Sequence, residues 1–178
     1  MSTINRLVPW LCVPAAVALT AWVCTAAPIL PAKPRVTEEI KSLAGIKRLR
    51  VVVESKSLLL QNMKYSPANI QEQVSDLMIE AGFEVVDDPK ATTLRIVLLT
   101  NTKPTFPDVV SVTHHLSLEQ DIVVARLGSP MFAPTYALVH GILVSKDRML
   151  AELDDPIVAL MQRFAQRVEQ ANEAASRT

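Results

Sequence analysis

Cysteine is almost missing: Cys12 and Cys24 are the only two in 178 residues, and both sit in an apolar run at the N-terminus. A domain that begins after that run has no disulfide, no thiolate nucleophile and no cysteine-based zinc site. Glycine is scarce too, with four in the chain, which leaves no glycine-rich loop to cradle a phosphate. Aromatic residues make up 4% and are scattered, too few for a platform on which bases stack. Neither sign of charge prevails, with 18 basic and 18 acidic side chains. No broad field therefore draws the chain to nucleic acid or to an anionic membrane.

What is present begins with residues 7–27, almost continuously apolar and interrupted only by Thr20 and Thr25. Arg6 supplies the positive charge before the run, and Cys24-Thr25-Ala26 offers small residues where a signal peptidase cuts. Cleavage after Ala26 is the preferred reading. The run is also long enough to stay as an uncleaved anchor, with Pro9 and Pro14 weakening that option. Lipidation at Cys24 is a third option, with Val23 an unusual residue before the modified cysteine. All three predict an exported domain, periplasmic or extracellular. Segment 1–26 is then a signal peptide or N-terminal membrane anchor. Segment 27–36, with Pro28, Pro31 and Pro34, is a tether, and 37–178 is a single domain.

Segment 49–86 specifies a strand, a loop, a helix and a second strand. Ser66 is placed to accept from the first-turn amides of a helix over 67–81, and Pro67 suits its first position. Ile70, Val74, Leu77, Met78 and Ala81 fall on one face of that helix. Gly82 suits a left-handed stop that folds Phe83 back toward Met78. Val51, Val52 and Val53 are consecutive and β-branched, which predicts a strand covered on both faces. Segment 55–65 reads as a loop whose Leu58, Leu59, Leu60 and Met63 are too apolar to be left in water. Lys47, Arg48 and Arg50 read as a solvated strand entrance. Thr37 is placed to cap a short helical turn that Gly45 ends.

Segment 83–86 is short and runs into Asp87-Asp88-Pro89, as an edge strand does. Leu94, Ile96 and Leu98 alternate in a third strand, and 103–108 is a proline-rich turn. From 110 to 124 the even positions are mostly apolar and the odd ones mostly polar, a pattern long enough to predict a bend or bulge near Thr113 or a break near Gln120. Segment 134–144 is a last strand in which Gly141 marks a bulge or a close backbone approach. Asp154-Asp155-Pro156 then opens a helix with Ile157, Leu160, Met161, Phe164, Val168 and Ala171 on one stripe. The sum is an α+β two-layer sandwich in β-α-β-β-β-β-α order. Its sheet is mixed, mostly antiparallel, of four to five strands, with two helices on one face.

This order, carried by 49–54, the helix 67–81 with Gly82-Phe83-Glu84-Val85-Val86-Asp87-Asp88, 93–99, 135–144 and the helix ending Val168-Glu169-Gln170-Ala171-Asn172, resembles small bacterial envelope domains. Among these are the amino-terminal domain of TolB, LptE-like lipoproteins and auxiliary lipoproteins of ABC transport systems. The resemblance implies an accessory or assembly role without a catalytic centre, and it carries over no functional residue.

The chemistry-bearing residues make no coherent constellation. His114 and His115 are adjacent on a strand and point to opposite faces. His114 and His140 can face each other on neighbouring strands, but no third ligand lies at a metal-site spacing. The plainer reading is hydrogen-bonded sheet histidines. Asp87-Asp88 and Asp154-Asp155 suit turn and cap duty, and no serine sits in a nucleophile elbow. No cofactor, metal or catalytic site is therefore expected. The leading expectation is an accessory module that docks an envelope protein or membrane-complex partner through the 57–65 segment (Leu58, Leu59, Leu60, Met63) or through the sheet edge at 83–86. The alternative is a small-molecule-binding or hydrolytic domain with a pocket between sheet and helices.

Overall fold

The computed structural model describes residues 37–63 and 65–177; the readings of leader, anchor, lipidation and tether lie outside the described residues. In chain order come α1 (Glu38–Lys41), β1 (Arg48–Ser55), α2 (Leu58–Asn62), α3 (Pro67–Glu80) and β2 (Glu84–Val85). Then follow β3 (Thr93–Lys103), β4 (Phe106–Val124), β5 (Ser129–Ser145), a 3-10 turn at Met149–Glu152 and α4 (Asp154–Ser176). The five strands form one mixed sheet in the order β2-β1-β3-β4-β5. β1 lies between two parallel neighbours, β2 and β3, while β3, β4 and β5 form an antiparallel meander. The expected α+β class and element order are what the molecule adopts.

The two long helices sit on the same face because each has one apolar stripe and the sheet offers one apolar row per strand. α3 contributes Ile70, Val74 and Met78; α4 contributes Ile157, Leu160, Met161, Phe164, Val168 and Ala171. They close over Leu49, Val51 and Val53 of β1, Leu94, Ile96 and Leu98 of β3, and Val110, Val112, Leu116 and Leu118 of β4 in a single core. Phe164 is fully buried, with the Phe83 ring 5.9 Å and the Tyr136 ring 6.2 Å from its own. Burying such a side chain contributes about 2–3 kcal/mol. α3 stops as its sequence dictates. Gly82 has φ +89°, its amide donates to the Ile79 carbonyl, and Phe83 donates to Met78 at 3.0 Å, the paired bonds of a glycine-capped helix end. Thr37 caps α1, accepting from the Ile40 amide.

Local detail departs from the sequence reading in several places. Ser66 makes no side-chain cap bond, and Pro67 alone marks the start of α3. Asp154 and Asp155 lie inside the first turn of α4 and cap nothing through their side chains; Leu153 holds the cap position. Their charge still suits the positive end of the helix. Leu58–Asn62, within the segment expected as a loop, is helix: Ser57 accepts from the Leu60 amide at 3.1 Å and nucleates α2. β1 is covered on one face only, with Leu49, Val51 and Val53 buried and Val52 half-buried, because both long helices lie on the same side.

β4 runs unbroken through Thr113 and Gln120. The irregularity falls on its neighbour, where Thr135 is squeezed out between the Leu118–Tyr136 and Glu119–Pro134 pairs. Gln120 Nε2 donates to Thr135 Oγ1 at 2.6 Å and to the Ser42 carbonyl, so the bulge is tied to the segment after α1. Gly141 stays in register opposite Thr113 and is no bulge. The proline-rich turn narrows to Pro104-Thr105, with Phe106 already in β4. Asp88 does take turn duty, accepting from the Lys90 amide at 3.0 Å.

Candidate functional site

The 57–65 segment is split by α2 into two fates. Leu60 is fully buried, and Leu59 and Met63 are half-buried against the core. Leu58 is 77% exposed. Helical geometry accounts for this: the three consecutive leucines point in different directions around the axis, so a single turn cannot hide them all. α2 is fixed to the sheet by a hydroxyl contact between Ser57 and Thr100 and by the Lys56 amide, which donates to the Leu98 carbonyl. Leu58 and Leu59 thereby form one wall of a groove of about 560 Å³ at the end of the sheet. Thr100 and Asn101 of β3 are in its lining, and Lys56, Lys103 and Lys146 surround it. None of these lysines joins an ion pair among the described residues. Asn101 and Lys103 also line a smaller cleft of about 240 Å³ on the open face of the sheet, with Phe106, Val109 and Leu143. The two clefts share Asn101 and Lys103, and exposed Leu58 lies in the first, exposed Phe106 and Leu143 in the second.

The lysine contribution was not legible in the sequence. Lys56, Lys103 and Lys146 are far apart in the chain, and they line one groove because β1, β3 and β5 all finish toward the same end of the sheet. The other edge named in advance, 83–86, is real but slight. β2 pairs with β1 over two residues, and Glu84 and Asp87 lie beside Arg48 and Arg50 at 3.4 and 3.5 Å. Those pairs are exposed and add little stability.

The histidines separate as their alternation requires. His115 faces the open side opposite Val139, while His114 and His140 are cross-strand partners with ring centroids 6.5 Å apart. His114 is fully buried, and among the described residues neither ring nitrogen meets a partner in good hydrogen-bond geometry, although the His140 and Leu153 backbone lies close enough to act on the ring. Burial, and next to it the neighbouring His140, push its imidazole down to about 4; nearby backbone of His140 and Leu153 offsets part of this. His114 is therefore neutral at pH 7, and it lines neither cleft described above. Among the described residues no three His, Cys, Asp or Glu side chains are grouped to hold a metal ion. Tyr65 is a second buried polar group without a partner, its hydroxyl pushed above the usual phenol range by burial and then by Asp154.

On the open face, Arg95 grips both oxygens of Glu119, at 2.9 and 3.1 Å, and also pairs with Glu54. The guanidinium is held above its ordinary value first by its bond to Glu119. This fork ties β1, β3 and β4 together across the side without helices. Beyond it that face mixes apolar Val97, Leu99, Val109, Val139 and Leu143 with polar Ser111, Thr113, His115 and Ser117.

No protein-family model matches the chain, and no curated protein matches it. Solved structures do. A minor lipoprotein from Acinetobacter baumannii is similar at 13% identity and a TM-score of 0.36, over 69% of this chain and 92% of that one. A PelC dodecamer from Paraburkholderia phytofirmans is similar at 8% identity and a TM-score of 0.38, over 70% and 86%. A neuraminyllactose-binding hemagglutinin homolog from Helicobacter pylori is similar at 11% identity and a TM-score of 0.38, over 75% and 91%. Likeness at this level assigns no activity. Among the described residues no helix is long and apolar enough to cross a membrane.

Proposed function

We propose that this chain is a non-catalytic accessory module of the bacterial cell envelope that docks an acidic, partly apolar segment of a protein partner in the groove beside α2. The observation that carries the reading is the groove itself: a leucine 77% exposed beside three lysines that have no carboxylate of their own. An exposed leucine alone is ordinary. Set among unpaired cations on a rigid wall, it complements a segment carrying both an apolar anchor and negative charge. The envelope placement is supported by Arg6, the apolar run 7–27 and the small residues at 24–26.

The test is a photoreactive side chain at position 58 of the full chain, irradiated in intact cells. The expected result is one adduct of defined mass that disappears when Lys56 and Lys103 are changed to Glu. Absence of an adduct, or an adduct indifferent to the charge reversal, would sink the docking reading. Turnover of an ester or glycoside panel that is lost with His114→Ala or His140→Ala would sink its non-catalytic part.

A further inference from the structure

We infer that the free edge of β5 pairs with β5 of a second copy of this chain, antiparallel and centred on Gly141. β5 closes the sheet on the side away from β2, with no strand beyond it among the described residues. The outward-facing backbone follows from the register. Lys146 donates to the Asp108 carbonyl, and the pairs run unshifted from Val109–Ser145 to Leu118–Tyr136. Even positions 136–144 therefore turn their amide and carbonyl to β4, and odd positions 137–145 turn theirs outward. The Ala137 amide agrees, meeting the Glu39 carboxylate of α1 at 3.4 Å.

The two halves of this edge are treated differently. In the first half, Pro130 and Pro134 remove donors and Glu39 occupies the Ala137 amide. These are the devices that keep an edge from pairing. From 138 to 145 there is no proline and no charged residue, yet Val139 is 60% and Leu143 75% exposed on the open face. Placing Gly141 opposite Gly141 of the second copy sets Val139 against Leu143 and Leu143 against Val139, two apolar cross-strand pairs. The same register puts Ser145 opposite Ala137, which brings Lys146 of each copy beside Glu39 of the other. Apolar pairs flank the axis, and opposite charges close both ends. A two-fold axis makes every contact twice. That self-match selects a second copy over an unrelated strand.

The inference does not rest on the groove beside α2, and its readout needs no envelope partner. The full chain is purified in mild detergent, and its protein mass is measured by sedimentation at micromolar concentration. Amide exchange is followed at Val139, Gly141 and Leu143. The expected mass is twice that of the protomer, with the three outward amides protected. Val139→Lys with Leu143→Lys, which puts like charges opposite each other, should raise the dissociation constant about a hundredfold and release those amides. Glu39→Lys should weaken the dimer several-fold, and adding Lys146→Glu should restore it, which keeps the test sound if the double-lysine chain misfolds. A monomeric wild type overturns the inference, as does a dimer indifferent to both sets of changes. So does a monomer with protected edge amides, which would mean that this chain's own N-terminal segment lies on the edge.

Discussion

Both faces of the sheet carry aliphatic side chains, and these meet opposite fates. On one, Leu49, Ile96, Val112 and Leu116 are sealed under α3 and α4. On the other, Val97, Leu99, Val139 and Leu143 share the surface with Arg95, His115 and Ser111, and Leu99, Val139 and Leu143 are exposed. Alternation in β4 marks its even positions as the inner ones. The helices seal that face, since each brings one apolar stripe, and two stripes cover one side. Stability is concentrated on the covered face.

The contrast predicts a ladder of effects. The largest is on the covered side. Phe164→Ala removes a fully buried ring packed on Phe83 and Tyr136, and should cost about 3–5 kcal/mol in denaturant unfolding. An unchanged midpoint would mean that α4 is not the principal lid of the core.

Next comes acid. The folded-state pKa of His114 lies below its unfolded value, so the unfolded chain binds the extra proton between the two. Stability from the neutral ring is present in full above about 6.5 and is lost as the pH falls toward 4. The loss should approach about 3 kcal/mol at the acid end. His114→Leu should flatten that slope in a series of midpoints taken across the range.

On the open face the effects shrink. Arg95→Ala leaves Glu54 and Glu119 facing each other without their cation and should cost about 1–2 kcal/mol, less at high salt. A loss as large as that of Phe164→Ala would erase the distinction between the faces. Smallest is Leu58→Asp, which should move the unfolding midpoint by no more than about 0.5 kcal/mol while weakening partner cross-linking.

The features legible in the sequence were those with a strong period or a stereochemical stop. The six apolar positions of α4 were all read from spacing and are all buried. The end of α3 was readable because only glycine takes φ +89° without strain. Ser66 misled because a serine before Pro67 is compatible with capping but does not enforce it. α2 was missed because one turn has no measurable period, and its nucleus is Ser57, a single hydroxyl. Three consecutive valines suggest two covered faces, but coverage depends on how many helices reach each side. Residue type offers Gly141 as a bulge or a close backbone approach, whereas the bulged residue is Thr135, held by Gln120 and Ser42 from distant parts of the chain. The lysine rim and the Arg95 fork are invisible for the same reason: both are made by register between strands.

The position of β1 has a consequence for the order of events as the chain emerges from the ribosome. β1 is made first, yet both of its neighbours, β2 and β3, come after the whole of α3. The meander β3-β4-β5, joined by the turns at Pro104-Thr105 and 125–128, can form from adjacent sequence. Local pairing closes faster than distant pairing, so the first strand to appear waits longest for its place. During that wait Val51-Val52-Val53 is a short β-prone apolar segment without a partner. Lys47, Arg48 and Arg50 on one side and Lys56 on the other are the flanking charges that keep such a segment from joining its copies. The basic residues at the strand entrance thus matter most before the fold exists.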